Sequence, residues 1–176
     1  IKEGKMDAVK LEGGIEYVDR ISEIIKAGIP VMGHIGLKPQ SVLIDSGYKI
    51  KGKTSKDAFK IYQDAIALEK AGVFALVLEG VPKEVAKIIT KKIKIPTIGI
   101  GAGCFCDGQI QVFHDVIGLL GPNVPKHANV YVNIQNAITK GLKNYQLDVQ
   151  KNKFPTSTNT IKMNQQELHS LKQKIE

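Results

Sequence analysis

Between Val73 and Leu78 the chain runs unbroken in apolar residues, and Glu79, Gly80, Val81 and Pro82 follow at once. A run of this kind predicts a parallel strand buried on both faces that leaves the core at Glu79. An earlier segment repeats the pattern. Met6-Asp7-Ala8-Val9-Lys10-Leu11-Glu12-Gly13 matches it at Ala8/Ala75, Leu11/Leu78, Glu12/Glu79 and Gly13/Gly80, an offset of 79 − 12 = 67. Ile29-Pro30-Val31-Met32-Gly33 recurs as Ile95-Pro96-Thr97-Ile98-Gly99, with 95 − 29 = 66. Two matches at nearly one spacing predict repeated strand–helix units whose strands end in polar or glycine residues at one face. Catalytic groups collect at that face of a parallel sheet or barrel. Glu12 and Glu79 are therefore expected as neighbours across a pocket mouth.

Helical spacing fills the intervals between strands. Tyr17, Val18, Ile21, Ile24 and Ile25 predict a helix after the first strand, stopped by Gly28. Thr54-Ser55-Lys56-Asp57 resembles a capping box opening a helix with Ala58, Ile61, Tyr62, Ala65 and Leu68 inward, ending at Gly72. Pro82 suits the first turn of a third helix, with Val85, Ile88 and Ile89 as its buried stripe. The second strand is expected over Ile29–Gly33, leaving His34 just beyond it. From Leu37 to Lys53 the periodicity dissolves, and so long a loop inside a domain is usually functional. Gln109 to Asp115 alternates enough for a short strand, a buried helix start being the alternative. Beyond the Gly121–Pro125 turn, a helix is expected from about Val130 to Leu147, with Ile134, Ile138, Leu142 and Tyr145 on one side. Lys153–Thr158 reads as loop. Asn164-Gln165-Gln166-Glu167 opens a short last helix with Leu168, Leu171 and Ile175.

Composition narrows the class. The chain has 176 residues, 43% hydrophobic and 24% charged, enough for one core. No run is long and apolar enough for a membrane span, and Ile1–Lys5 has no signal-peptide core behind it. The net charge of +8 is spread along the chain, densest at Lys49–Lys53 and Lys91–Lys94. Aromatics are 6% and do not interleave with the lysines, so solvated faces explain the charge better than a nucleic-acid groove. Cys104 and Cys106 are too close for an easy disulfide and too few for a zinc site, which fits a reducing cytoplasm.

Lys10 and Glu12 stand two apart on one strand, so both side chains leave on one face. A lysine in an apolar strand is costly unless paired or functional. Two carboxylates at one pocket can divide roles, one beside a metal and one as general base. His34 belongs to the same end of the sheet and is a candidate lining residue. His114 and Asp115 point to opposite faces of a strand, and His127 and His169 sit in surface-like contexts. Gly99-Ile100-Gly101-Ala102-Gly103 fails the dinucleotide fingerprint because Cys104 stands where the third glycine belongs, yet it lets backbone approach a ligand. Cys104 and Cys106 read equally as inert or reactive thiols.

Val9-Lys10-Leu11-Glu12-Gly13-Gly14, Gly33-His34-Ile35-Gly36-Leu37-Lys38-Pro39-Gln40-Ser41, Gly47-Tyr48-Lys49, Leu76–Pro82, and Ile98–Gly103 with Asp107-Gly108-Gln109 together resemble the ketopantoate hydroxymethyltransferase family. The similarity runs in order from about Ile1 to Pro155. It implies an α/β fold of the (β/α)8 TIM-type barrel, of which residues 1–155 supply roughly the C-terminal two thirds, with 156–176 as a tail. It implies transfer of a hydroxymethyl group from methylenetetrahydrofolate to 3-methyl-2-oxobutanoate, giving 2-dehydropantoate for cytoplasmic pantothenate synthesis. Mg2+ or a similar divalent metal and a homo-oligomer belong to the same expectation. By position, Lys10 resembles the substrate-binding lysine, Glu12 the metal-associated glutamate and Glu79 the proton acceptor. The family's two aspartate ligands fall on strands that would precede Ile1, and Gly80 stands where relatives often have cysteine. Two readings follow: an enzyme of this family, or a catalytically inactive barrel fragment that serves only as an assembly or binding partner.

Overall fold

The computed structural model describes residues 1, 3–41, 50–119, 121 and 124–175. The Asp45-Ser46-Gly47 turn, the Gly47-Tyr48-Lys49 motif and Pro122-Asn123 lie outside the described residues. Five parallel strands form one sheet in the order β1-β2-β3-β4-β5. They are β1 Val9–Glu12, β2 Val31–Gly36, β3 Ala75–Glu79, β4 Thr97–Ile100 and β5 Gly108–Gln109. Between them stand α1 Val18–Lys26, α2 Ser55–Ala71 and α3 Lys83–Lys92, and after them α4 Phe113–Val116, α5 Ile134–Gln150 and α6 Gln165–Ile175. Every strand is the sequence neighbour of the strand it pairs with. A doubly wound sheet reverses its order at a switch point, and this one does not.

The local signals that place the helices are the expected ones. Thr54 accepts the Asp57 N–H at 3.1 Å, and Gly72 closes α2 at φ 94°, where a side chain would be strained. Asn164 accepts the Gln166 N–H at 2.8 Å and opens α6. Ile21 of α1, Ile61, Ala65 and Leu68 of α2, and Val85, Ala86 and Ile89 of α3 form one cluster with Val31, Ile35, Leu76 and Leu78. Each fully buried leucine or isoleucine contributes roughly 1.5–3 kcal/mol. These strand residues alternate with Lys10, Glu12, Met32, His34, Val77 and Glu79, so the helices cover one face and the chemistry occupies the other.

Four expectations need correction. The second strand does not stop at Gly33 but runs to Gly36, because it pairs with β1 through His34 and with β3 through Gly36. His34 is therefore inside a strand with neighbours on both sides. Ile88 is exposed on the outer side of α3, one residue from the buried Ile89. The Gln109–Asp115 run is strand only at Gly108–Gln109 and turns into α4 at Phe113. The expected stripe of α5 is uncovered in this chain: Ile138, Leu142 and Tyr145 are all exposed, and the helix has no buried residue.

At the far end of the sheet, the Asp107 carboxylate accepts both the backbone N–H and the hydroxyl of Thr97, at 2.8 and 2.9 Å. These bonds hold its carboxyl below the usual aspartate range and tie β4 to the turn that opens β5.

Candidate active site

Strand register brings the chemistry together. Glu12 pairs with His34 across β1 and β2, while His34 pairs with Val77 and Gly36 with Glu79 across β2 and β3. Side chains alternate along each strand, so Lys10, Glu12, His34 and Glu79 share the face turned away from the helices. The two glutamates stand on strands one apart, on the two sides of a single histidine ring. β2 lies between their strands, and the His34 ring stands between their carboxylates.

The ring is 1% exposed. Its Nε2 hydrogen-bonds the Leu37 carbonyl oxygen at 3.0 Å and lies 3.2 Å from Glu79 Oε2. Its Nδ1 faces Glu12 Oε1 at 3.7 Å and has no hydrogen-bond partner among the described residues. Lys10 Nζ lies 3.8 Å from the same Glu12 oxygen, with half of the lysine side chain still open to solvent. Lys10 is thus paired loosely, and its charge is available at the open face.

A second layer, not foreseen from the sequence, fixes the exit of β1. The Gln40 N–H donates to Glu12 Oε2 at 3.0 Å, from the turn Pro39–Ser41. Lys38 Nζ reaches Glu16 Oε1 at 3.3 Å and joins that turn to the one after β1. Burial of Glu16 opposes its ionisation, but backbone hydrogen bonds and Lys38 outweigh it and hold the carboxyl low. Asp64 of α2 accepts the Ile15 N–H at 3.0 Å, and burial pushes its carboxyl up against the pull of that amide. A cavity of about 400 Å3 opens here, lined among others by Glu16, Lys38, Lys60 and Asp64. It belongs to the helix side of the sheet, where Ile35 points, and Glu12, His34 and Glu79 do not line it. The sequence carries no mark of the Gln40 contact, because any residue but proline offers a backbone N–H.

Gly36 sets how closely β2 and β3 end together. Its φ is 95°, and a Cβ there would lie 2.2 Å from the Glu79 backbone oxygen. The next residue, Leu37, donates its N–H to that same oxygen at 2.7 Å. Gly36→Ala combines left-handed strain with a backbone clash. It is expected to cost about 3 kcal/mol, a fall of roughly 6–12 °C in the unfolding midpoint. A midpoint unchanged in a thermal melt would show that the β2–β3 exit yields easily.

Other sequence candidates stay apart. Cys104 is exposed, Cys106 is partly buried with its thiol pushed up by burial, and both line a cavity of about 650 Å3 with Asp107, Gln109 and His127. His114 is exposed on α4, while Asp115 beside it is buried. No group of three His, Cys, Asp or Glu residues able to hold a metal ion occurs among the described residues. Among the described residues near the candidate site, Glu12 alone offers a carboxylate beside an unpartnered nitrogen, and a hard divalent ion wants about six oxygen ligands. The described residues alone do not make a metal site. No helix among them is long and apolar enough to cross a membrane.

A family profile described as ketopantoate hydroxymethyltransferase matches residues 1–157. The 3-methyl-2-oxobutanoate hydroxymethyltransferase of Dehalococcoides mccartyi (strain CBDB1) is 51% identical over 172 residues, 98% of this chain and 62% of that protein. The protein of the same name from Clostridioides difficile (strain 630) is 48% identical over 171 residues, 97% of this chain and 62% of its own length. The chain thus spans about three fifths of the curated relatives it matches. Among solved structures, the YdjI aldolase of Escherichia coli K12 aligns at a TM-score of 0.43 and 15% identity, covering 82% of this chain and 53% of that one.

Proposed function

The chain belongs to the ketopantoate hydroxymethyltransferase family, and from that premise we propose that these residues carry the proton-abstraction half of a one-carbon transfer. The reaction takes methylenetetrahydrofolate, 3-methyl-2-oxobutanoate and water to tetrahydrofolate and 2-dehydropantoate. The observation that carries this reading is the convergence of Lys10, Glu12, His34 and Glu79 on one face at the strand exits.

Glu79 is the general base. Its carboxylate lies at the end of β3 with one oxygen against His34, and it removes the proton from the carbon next to the keto group. The carbanion so formed is an enolate. Water releases the one-carbon unit from the two folate nitrogens as formaldehyde, each nitrogen taking one proton of that water. The enolate carbon bonds to it while the proton held by Glu79 passes to the new alkoxide oxygen. Water supplies the oxygen of the hydroxymethyl group. Lys10 sets an ammonium against the negative charge of the oxo acid and of the enolate, which stabilises the transition state more than the ground state. A magnesium-type ion, when bound, would polarise the keto group. Glu12 is the residue of this chain we assign to it, and its remaining ligands are not among the described residues.

The sequential order of the strands, with helices on one face, supports an arc of a (β/α)8 barrel, residues 1–155 forming the arc and 156–176 a tail. The uncovered apolar stripe of α5 supports a homo-oligomer. What favours an enzyme over an inactive fragment is that Lys10, Glu12 and Glu79 are all present, on one face of the sheet.

Lys10→Ala tests the reading in the full-length protein. It is expected to weaken 3-methyl-2-oxobutanoate binding by about 10–100-fold, the loss of one charge-assisted contact, and folate binding by less than about threefold. Isothermal titration with each ligand separates the two. Equal losses would make Lys10 a structural residue.

A further inference from the structure

Resting on that reading, we propose that His34 is the positioning residue of proton abstraction: its Nε2 edge holds the Glu79 carboxylate for the oxo acid. A carbonyl oxygen only accepts, so the hydrogen bond to Leu37 O at 3.0 Å requires the proton on Nε2. The same edge lies 3.2 Å from Glu79 Oε2, a close polar contact beside the hydrogen bond to Leu37 O and not a second one. Nδ1 faces Glu12 Oε1 at 3.7 Å, buried and without a hydrogen-bond partner among the described residues. Both of the ring's close polar contacts, to Leu37 O and to Glu79, are therefore at its Nε2 edge.

The surroundings make the ring a rigid reference. β2 pairs on both sides, and His34 has Glu12 opposite it in β1 and Val77 opposite it in β3. The acceptor that sets the tautomer, Leu37 O, belongs to the residue whose N–H donates to the Glu79 backbone oxygen. Side chain and main chain of Glu79 are thus held by one four-residue segment, His34 to Leu37. With Oε2 fixed against the ring, Oε1 is the oxygen left to take the proton. Misplacing a reacting group by about 1 Å costs about 100-fold in rate.

The test compares His34→Gln, His34→Asn and His34→Leu with wild type in the full-length protein, following hydrogen–deuterium exchange at the carbon next to the keto group of 3-methyl-2-oxobutanoate. The glutamine amide can reach the position of Nε2, whereas the asparagine amide can reach only that of Nδ1. His34→Gln is expected to keep exchange within about 10-fold of wild type, with His34→Asn and His34→Leu down about 100-fold. KM for the oxo acid should move less than about threefold, since binding is not what is lost. A crystal structure of His34→Leu, or of His34→Asn if the leucine variant does not fold, is expected to show the Glu79 carboxylate displaced with the β2–β3 register kept. An asparagine variant as active as the glutamine variant, or an unmoved carboxylate, overturns the positioning role alone. Absence of exchange in wild type overturns the functional reading, and the catalytic half of this proposal with it, whatever the crystals show.

Discussion

Glu79→Gln is expected to lower hydroxymethyl transfer by about 10³-fold, the middle of the range for losing a general base. The exchange is isosteric. The glutamine oxygen can still face His34 Nε2, and the backbone oxygen that receives the Leu37 N–H is untouched. The unfolding midpoint should therefore stay within about 2 °C, less than ~1 kcal/mol shifts a domain of this size. Almost all of the loss should fall on kcat, because the amide still fills the space beside the substrate but does not take its proton. Glu79→Asp keeps the base and retracts it, and should lose less, about 10–100-fold. A glutamine variant with near wild-type kcat would remove Glu79 from the chemistry.

A comparably large effect is expected from the 176 residues assayed by themselves: no measurable transfer with 3-methyl-2-oxobutanoate, methylenetetrahydrofolate and millimolar magnesium. One oxygen of Glu12 is already engaged by the Gln40 N–H, and Lys10 stands 3.8 Å from the other. A lone carboxylate shared with an ammonium is a poor site for a hard cation. Among the described residues, moreover, no strand pairs with the outer edge of β1, the strand that carries Lys10 and Glu12. Unpaired backbone at that edge invites aggregation and admits water beside the site. Turnover equal to that of a full-length relative would show that these residues suffice, and the metal argument would fall.

Much of this arrangement is legible in the sequence where the signal is covalent and local. The apolar run ending in Glu79-Gly80 gave β3 and its polar exit. Thr54 and Gly72 gave the two ends of α2 through side-chain capping and a left-handed backbone. The alternation rule put Lys10 and Glu12 on one face. The sequence places His34 beyond its strand because β2 is buried on both faces and so shows no alternation to mark its end. Gly33 also looked like a stop, whereas it is a place where Leu76 and Leu68 pack close. Ile88 and Ile89 are adjacent on α3, 100° apart around the helix, so only one faces the sheet. The Gln40 contact with Glu12 comes from a backbone amide and the Asp64 contact from a helix 49 residues away, and neither leaves a pattern in the chain.

The central claim is that the exits of β1, β2 and β3 form a site that enolises an oxo acid. The most direct measurement is proton NMR of 3-methyl-2-oxobutanoate in D2O with the full-length protein and magnesium, in the absence of folate. The account predicts loss of the C3 proton signal at a rate that Glu79→Gln lowers by about 10³-fold. Persistence of that signal in wild type, under conditions where added methylenetetrahydrofolate gives 2-dehydropantoate, would contradict it.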